Sequence, residues 1–218
     1  MASAPPGRPR ASGASLTGLG TRADILAASA ALFCTEGFGG TSTHAIAAAA
    51  GIRQASLYHH FGGKHAVLLE LLLGTVQPSL DAAAVLLTRD EPPAARLWAL
   101  CVSDVRLLAA GEHNIGALYL LPELGDERFA RFRERRSELE TAYRTLVAAC
   151  GAADPATGAS LVLALVENVI LQRRRRQPDE PGPSAEAVAL AALRVLDLPR
   201  PAVAEALAAG PALLAHLR

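Results

Sequence analysis

Apolar residues recur at intervals of three and four along most of the chain, which is the spacing of helices that bury one face. The first such helix is predicted over 21–36 and ends at Gly37. Its inward positions are Ile25, Ala28, Leu32 and Phe33. The same spacing predicts further helices over 64–76, over 79–88 after a break at Pro78, and over 93–110, 115–121, 126–150, 154–176 and 184–196. Because aromatic residues make up only 4% of the chain, this pattern favours an all-α fold over a sheet.

Two short helices separated by a glycine are predicted between the first helix and Lys64. Ser42 is a good N-cap for the earlier one, which ends at Gly51, and the later one covers 53–60. The side chains left on the outer face of the second helix are Gln54, Ala55, Ser56, Tyr58 and His59. A helix, a glycine-containing turn and a second helix with polar residues near its start form a helix-turn-helix, whose second helix enters the major groove of DNA.

Over 22–69 the sequence resembles the TetR-type transcriptional regulators. The residues that carry the resemblance are Ile25-Leu26, Leu32-Phe33, Glu36-Gly37-Phe38, Ser42, Ile46-Ala47, Ala50-Gly51-Ile52, Leu57-Tyr58-His59-His60-Phe61 and Lys64. It implies an N-terminal three-helix helix-turn-helix DNA-binding domain and a larger C-terminal helical ligand-binding and dimerisation domain. We therefore expect a disordered tail over 1–20, the DNA-binding domain over 21–66 and the effector-binding and dimerisation domain over 67–218.

The resemblance also implies a set of DNA contacts. Phosphate contacts are expected at the start of the first short helix and from Tyr58, although the Tyr58 ring could instead pack with its hydroxyl in water. Gln54 can bond adenine and the methyl group of Ala55 can meet a thymine methyl. Arg53 stands where the family usually has a capping Ser or Thr, and we expect it to contact guanine or phosphate. The predicted DNA contacts are Ser42, Thr43, Arg53, Gln54, Ala55, Ser56, Tyr58, His59 and Lys64.

Charge and terminal sequence add little to this picture. The formal net charge is zero, so the whole chain does not have the basic excess of many nucleic-acid binders. Arg8 and Arg10 belong either to a plain tail or to an arm that touches the minor groove. The run of arginines at 173–176 fits a helix C-terminus better than a nucleic-acid tract, because cations are favoured there. With no signal peptide and an apolar run over 159–171 too short to cross a bilayer, we expect a cytoplasmic protein without membrane contact.

The second domain is expected to bind an effector and a second copy of the chain. The predicted pocket residues are Trp98, Cys101, Val105, Tyr119, Phe132, Tyr143 and Asn168. Such a pocket would suit a small, mostly apolar molecule. Alternatively, the aromatic residues fill the core, and Glu167 and Asn168 meet across the dimer. The predicted dimer contacts are Val162, Val166, Val169, Ile170, Val188 and Ala192, and residues after Pro201 are expected to add short helical turns.

The sequence lacks the motifs of common enzymes: it has no GxSxG, no HExxH and no glycine-rich phosphate loop after a strand. Cys34, Cys101 and Cys150 are expected to be free thiols, with a redox pair as the alternative. Adjacent His59 and His60 point in different directions, so no metal site and no cofactor are predicted. The resemblance implies a homodimeric repressor that leaves a near-palindromic operator when a small molecule binds. Control by a protein partner, or activation in place of repression, stays open.

Overall fold

A computed structural model describes residues 15–175 and 182–217, and these form α-helices and short 3-10 helices without any strand. The α-helices are α1 (Thr21–Thr35), α2 (Gly37–Gly40), α3 (Thr43–Ala49), α4 (Gln54–His60), α5 (Lys64–Leu87), α6 (Pro93–Ala109), α7 (Ala130–Ala149), α8 (Pro155–Arg175), α9 (Ala185–Val195) and α10 (Arg200–Leu213). The 3-10 helices are Ile115–Leu120, Pro122–Gly125, Glu127–Phe129 and Leu214–Leu217. The all-α prediction is confirmed. Contacts divide the chain into two compact units, Met1–Leu71 and Leu72–Arg218.

The first unit has a small core built by α1 to α4 and the start of α5. Its central side chains are Ile25, Phe33, Phe38, Ile46 and Leu57, none of which is more than 2% exposed. The Phe33 and Phe38 rings meet edge to face, with centroids 5.2 Å apart. Burial of these side chains fixes the angle between α1 and the helix-turn-helix, because close-packed interiors leave little room for rotation.

The segment before α1 is held to the first unit through a buried carboxylate. Asp24 is fully buried and accepts hydrogen bonds from the hydroxyl groups of Ser15 and Thr17 at 2.7–2.9 Å and from the Thr17 backbone N–H at 2.8 Å. The prediction of a disordered tail through residue 20 is therefore wrong for this segment. The order of this segment comes from a buried acid that needs hydrogen-bond donors. A Ser- and Gly-rich sequence gives no sign of that requirement. Arg8 and Arg10 lie outside the described residues.

In the second unit, α6 is the central helix. Buried side chains run almost without interruption from Ala94 to Val105, and α6 packs against α7, α8, α9 and α10. Pro78 does not break α5, which is a single helix from Lys64 to Leu87. Proline removes one backbone hydrogen bond and costs about 3 kcal/mol inside a helix. Burial of Leu72 and Leu86 to 1% exposure or less, on either side of the proline, offsets that cost.

The C-terminal part forms a full helix, α10, rather than the short turns expected from the sequence. It packs along α6 with Gly210 against the Trp98 ring. Two helices, α5 and α8, also have the length and mean hydropathy of membrane-spanning helices, but 44% and 39% of their apolar windows are buried inside the structure. Their hydropathy is explained by packing against other helices of the chain.

Candidate nucleic-acid interface and interior polar cluster

The helix-turn-helix is held by local hydrogen bonds and a buried leucine. Ser42 caps α3 as predicted, since its hydroxyl oxygen accepts the Ala45 N–H at 3.0 Å. Gly51 in the turn has a φ of +66°, a left-handed conformation that favours glycine. Leu57 faces inward from α4 and is fully buried. The outer face of α4 is consequently fixed in direction while its side chains remain accessible.

Three predicted contact residues from both helices form one hydrogen-bonded group on this face. The Gln54 side chain donates through Nε2 to Thr43 Oγ1 at 2.9 Å, and the Tyr58 hydroxyl lies 3.3 Å from the same Thr43 oxygen. Tyr58 is 54% exposed, so its ring is not packed into the core. The network presents a carboxamide and a phenol hydroxyl side by side, which suits contact with base edges and phosphates.

The other predicted contacts on α4 differ in accessibility. Arg53, Ala55 and His59 are exposed, and Ser56 is half-buried. Arg53 occupies the N-cap position of α4 without a side-chain capping bond. Its guanidinium is thus not used to close the helix, and its DNA contact stays a prediction.

Lys64, a predicted phosphate contact, bonds to backbone carbonyls of the first unit. Its ammonium donates to the backbone carbonyls of Phe38 and Thr41 at 2.8 and 2.9 Å, with Gly39 at 3.4 Å, and lies 4.6 Å from the centre of the Phe38 ring. An ammonium has three hydrogens, and three carbonyls account for all of them. Lys64 therefore connects the start of α5 to α2 and to the residues just before α3.

Arg22 also positions α4, although the sequence alone identifies it only as the first residue of the TetR resemblance. Its guanidinium donates to the carbonyl of His60, the last residue of α4, at 2.9 Å, pairs with Glu70 and stacks over the Phe61 ring at 4.3 Å. A cation at a helix C-terminus is favoured by the helix dipole. In the sequence, Arg22 is only an arginine at the outer edge of an amphipathic helix. Nothing there distinguishes such an arginine from one whose charge is simply solvated.

The predicted dimer contacts lie mostly inside their own chain. Burial is at least 93% for Val162, Val166, Val169, Ile170 and Ala192, and Val188 is half-buried. The five buried side chains are used by the packing of α8 and α9 within the second unit and offer no surface to a second copy. The exposed apolar side chains of these helices are Leu161, Leu171 and Val195.

The predicted pocket residues fill the core instead of lining a large cavity. Trp98, Cys101, Val105, Phe132 and Tyr143 are at least 95% buried. Tyr119 is half-buried, with its ring tilted against Phe132 at 5.5 Å, and Asn168 is exposed, so it does not face the interior. The arrangement matches the other interpretation of the sequence, in which the aromatic residues fill the core. An open groove of about 750 Å³ lies between α5 and α7, with Leu80 and Leu87 in its lining.

A buried carboxylate that sequence reasoning missed lies in the middle of this core. Asp104 of α6 is 3% exposed, and Tyr143 donates to its Oδ2 at 2.7 Å. Its Oδ1 is buried and has no hydrogen-bond partner, although the Ser79 hydroxyl lies near enough to affect the group. Burial raises the pKa of Asp104 to about 6, against the smaller lowering effects of Tyr143 and Ser79. The sequence feature that could have revealed this buried carboxylate is its position, one residue before Val105 on the apolar face of α6.

Two further polar pairs complete what we call the interior polar cluster: Thr75, Ser79, Asp104, Tyr119, Arg136, Tyr143 and Glu167. Arg136 of α7 forms an ion pair with Glu167 of α8. Thr75 donates to the carbonyl of Leu72, so the neighbouring Tyr119 hydroxyl is the donor to Thr75. All of these residues except Tyr143 line a cavity of about 10 Å³, together with Leu108, Leu139, Leu163 and Val166, and that volume is about the room that one water molecule needs.

Within the described residues, no group of three or more His, Cys, Asp or Glu side chains could hold a metal ion. None of the three cysteines forms a disulfide, and burial raises the pKa of Cys150 to about 11 and that of Cys101 further. The Cys101 and Cys150 thiols are therefore protonated at neutral pH and poorly reactive. Arg173, in the arginine run, donates to the carbonyls of Leu108, Ala110 and Gly111, so it closes the end of α6.

Comparison with known proteins places these features in a family. Residues 25–71, which contain the helix-turn-helix, match the profile described as "Bacterial regulatory proteins, tetR family". The crystal structure of AmtR from Mycobacterium smegmatis is 44% identical, with a TM-score of 0.81, over 95% of this chain and 98% of that chain. The chain belongs to the TetR family. This TetR-family protein is a DNA-binding transcriptional regulator and not an enzyme.

A curated relative supports the same assignment over part of the chain. The HTH-type transcriptional repressor KstR2 of Rhodococcus jostii (strain RHA1) is 32% identical over 130 residues. That alignment covers 58% of this chain and 61% of KstR2, so this chain spans about three fifths of the length of KstR2. The structure of AibR in complex with isovaleryl coenzyme A and operator DNA shares the fold, at 23% identity and a TM-score of 0.65 over 78% of this chain.

Proposed function

We propose that the protein is a homodimeric repressor in the cytoplasm that binds a near-palindromic operator through α4 and leaves it when a small-molecule effector binds the second unit. The observation that carries this proposal is the Thr43–Gln54–Tyr58 network on the exposed face of a capped, well-packed helix-turn-helix. KstR2 is named a transcriptional repressor, and AibR has been crystallised with an acyl coenzyme A and operator DNA. The name of KstR2 supports repression, and the AibR complex supports the binding of both a small molecule and operator DNA by this fold.

The two recognition helices of the dimer would enter successive major grooves, about 34 Å apart. Gln54 is placed to read adenine, and the methyl group of Ala55 to meet a thymine methyl. Tyr58, Ser42 and Thr43 would contact phosphates and fix the register without reading sequence. Arg53, exposed at the start of α4, would add a guanine or phosphate contact.

Tyr58→Phe is expected to weaken operator binding about tenfold for each half-site, because it removes one hydroxyl contact to a phosphate while the ring is kept. The measurement is a gel-shift titration with duplex DNA from upstream of the protein's own coding region, at two salt concentrations. Tyr58→Ala should weaken binding at least as much, and neither variant should change the unfolding curve, since Tyr58 is 54% exposed.

A scrambled duplex of the same length is the control for specific binding. Binding that is equal for both duplexes and insensitive to Tyr58 would refute the proposed reading face for this site. A pool of selected oligonucleotides would then show whether the protein reads another sequence. A reporter gene behind the bound site would tell repression from activation by the sign of its change.

Dimerisation is expected to use the exposed apolar residues of α8 and α9. Leu161, Leu171 and Val195 are 45%, 39% and 43% exposed, and such side chains on neighbouring helices suit a four-helix seam between two copies. Leu161→Glu would bury a charge at that seam and is expected to shift the protein to monomers in sedimentation experiments. Leu87→Glu, at a leucine that is 36% exposed on α5, is the matched control and should leave the dimer intact. Equal behaviour of the two variants would place the seam elsewhere.

Control by a protein partner is the second candidate function, and one observation favours it. The interior cavity of about 10 Å³ leaves no room for a ligand of drug size, whereas a partner needs only a surface. A purified dimer that stays on its operator in the presence of every small molecule tested would support this candidate.

A further inference from the structure

We propose that the effector is a compact organic monocation with N–H groups, bound at the interior polar cluster with the Asp104 carboxylate as its anion. This inference rests on the proposed function, in which a small molecule controls release from the operator. Asp104 lines the cavity, is 97% buried and has one oxygen, Oδ1, without a hydrogen-bond partner. A buried acceptor left unsatisfied costs stability, and a donor from a ligand would satisfy it.

The charges of the cluster favour a cation. Two carboxylates, Asp104 and Glu167, face one guanidinium, that of Arg136, which leaves the cluster one negative charge in excess when both acids are ionised. Burial raises the pKa of Tyr143 well above its ordinary value, so the phenol is a neutral donor and adds no charge. Burial raises the pKa of Asp104, and the hydrogen bonds of Tyr143 and Ser79 and the charge of Arg136 offset this effect only in part. A monocation would supply a further compensating charge.

The size of the cavity limits the ligand. About 10 Å³ holds one water-sized molecule, so an extended acyl chain or a coenzyme A ester does not fit beside Asp104 without large rearrangement. Methylammonium has only two non-hydrogen atoms, so among organic cations with N–H groups it requires the least displacement of the side chains around the cavity. The lining combines hydrogen-bonding groups of Thr75, Ser79, Tyr119, Arg136 and Glu167 with the apolar side chains of Leu108, Leu139, Leu163 and Val166, which suits a cation with a small apolar part.

Access to Asp104 and the response to binding follow from the elements that form the cluster. The Arg136 and Glu167 side chains are 20% and 29% exposed, so their ion pair lies between the buried carboxylate and solvent. A cation that enters there competes with Arg136 for Glu167. Thr75 and Ser79 belong to α5, and an occupant of the cavity therefore contacts α5 directly. This contact gives the ligand different affinities for different positions of that helix, which is the requirement for a switch.

The test uses the full-length protein and methylammonium chloride, with tetramethylammonium chloride and sodium chloride at equal ionic strength as controls. Tetramethylammonium has the same charge but no N–H group. We expect methylammonium to raise the melting temperature and to release operator DNA at concentrations at which both control salts do neither. Asp104→Asn should weaken methylammonium binding at least about tenfold while it still binds the operator. Asp81→Asn, at an exposed acid on α5, should bind methylammonium as the wild type does.

Binding should also weaken about tenfold between pH 7.5 and pH 5, as Asp104 takes up a proton with a pKa of about 6. The groups that face Asp104 are Ser79 on α5, Cys101 on α6, Tyr119 on the 3-10 helix Ile115–Leu120, Tyr143 and Arg136 on α7 and Glu167 on α8. Equal effects of methylammonium and tetramethylammonium, or unchanged binding by Asp104→Asn, would overturn the inference. If isovaleryl coenzyme A releases the operator and the cations do not, the inference fails and the proposed function stands. If no duplex is bound specifically, the proposed function itself fails.

Discussion

Asp104→Asn is expected to raise the free energy of unfolding at pH 8 by up to about 3 kcal/mol. The pKa of Asp104 is raised from 3.8 to about 6, chiefly by burial, and each pKa unit corresponds to about 1.4 kcal/mol of difference between the two protonation states. Asparagine keeps an acceptor for the Tyr143 hydroxyl and carries no charge into the core. A gain of stability from a substitution in the core is rare, and it indicates a residue kept for function.

The pH dependence gives a sharper test than the gain alone. The folded protein holds a proton on Asp104 more tightly than the unfolded chain, so the contribution of this group is fully favourable below about pH 4 and is lost as the pH rises through about 6. Asp104→Asn has no carboxylate at this position, so its stability does not fall as the pH rises through this range. Urea denaturation from pH 4 to pH 8 should therefore show two stability curves that lie closest at pH 4, diverge between pH 4 and pH 6 and keep a constant separation at higher pH. Asp81→Asn, at an exposed position, should follow the wild type throughout; parallel curves for Asp104→Asn would contradict the expectation.

Gly210→Ala is expected to lower the free energy of unfolding of the second unit by about 3 kcal/mol. A Cβ at Gly210 would lie 2.4 Å from Cε3 and 3.0 Å from Cζ3 of the Trp98 ring. The indole is only 3% exposed and has no room to move away. Alanine favours a helix over glycine by about 1 kcal/mol, and that gain is smaller than the cost of the clash.

Gly74→Ala is the matched control for Gly210→Ala. Gly74 lies in the interior of α5, and a Cβ there would meet no atom within 4 Å. Only the helix preference acts at this position, so the variant should be more stable by about 0.5–1 kcal/mol. Urea denaturation followed by circular dichroism measures both variants. If both shift in the same direction, close contact between α10 and α6 does not determine the stability of this unit.

Much of the helical plan could be predicted because it depends on local signals. The Ser42 cap, the glycine turn and the inward Leu57 each follow from residues within four positions. Pro78 predicts a helix end by a local rule, but tertiary burial keeps α5 continuous through it. The length of α10 was missed for the same reason: its stability comes from Trp98, more than one hundred positions earlier in the chain.

The interior of the second unit could not be predicted, because its arrangement depends on which helices meet. Asp104 and Tyr143 are 39 positions apart, and nothing in either sequence neighbourhood indicates their hydrogen bond. In α8 the apolar residues cover more than one face, so hydropathy did not tell the buried Val162 and Val166 from the exposed Leu161. The bonds from Lys64 to backbone carbonyls could not be predicted, because a basic residue near DNA-binding helices suits a phosphate and a backbone carbonyl equally well.

The contact of Trp98 with α10 gives the protein a built-in optical probe. Trp98 is the single tryptophan of the chain and is almost fully buried, whereas the first unit has only Tyr58 among Trp and Tyr residues. Indole fluorescence therefore reports on the second unit alone, with blue emission while α10 covers the ring and red emission once water reaches it. Fluorescence and circular dichroism recorded on one sample would thus separate the melting of the effector-binding unit from that of the whole chain.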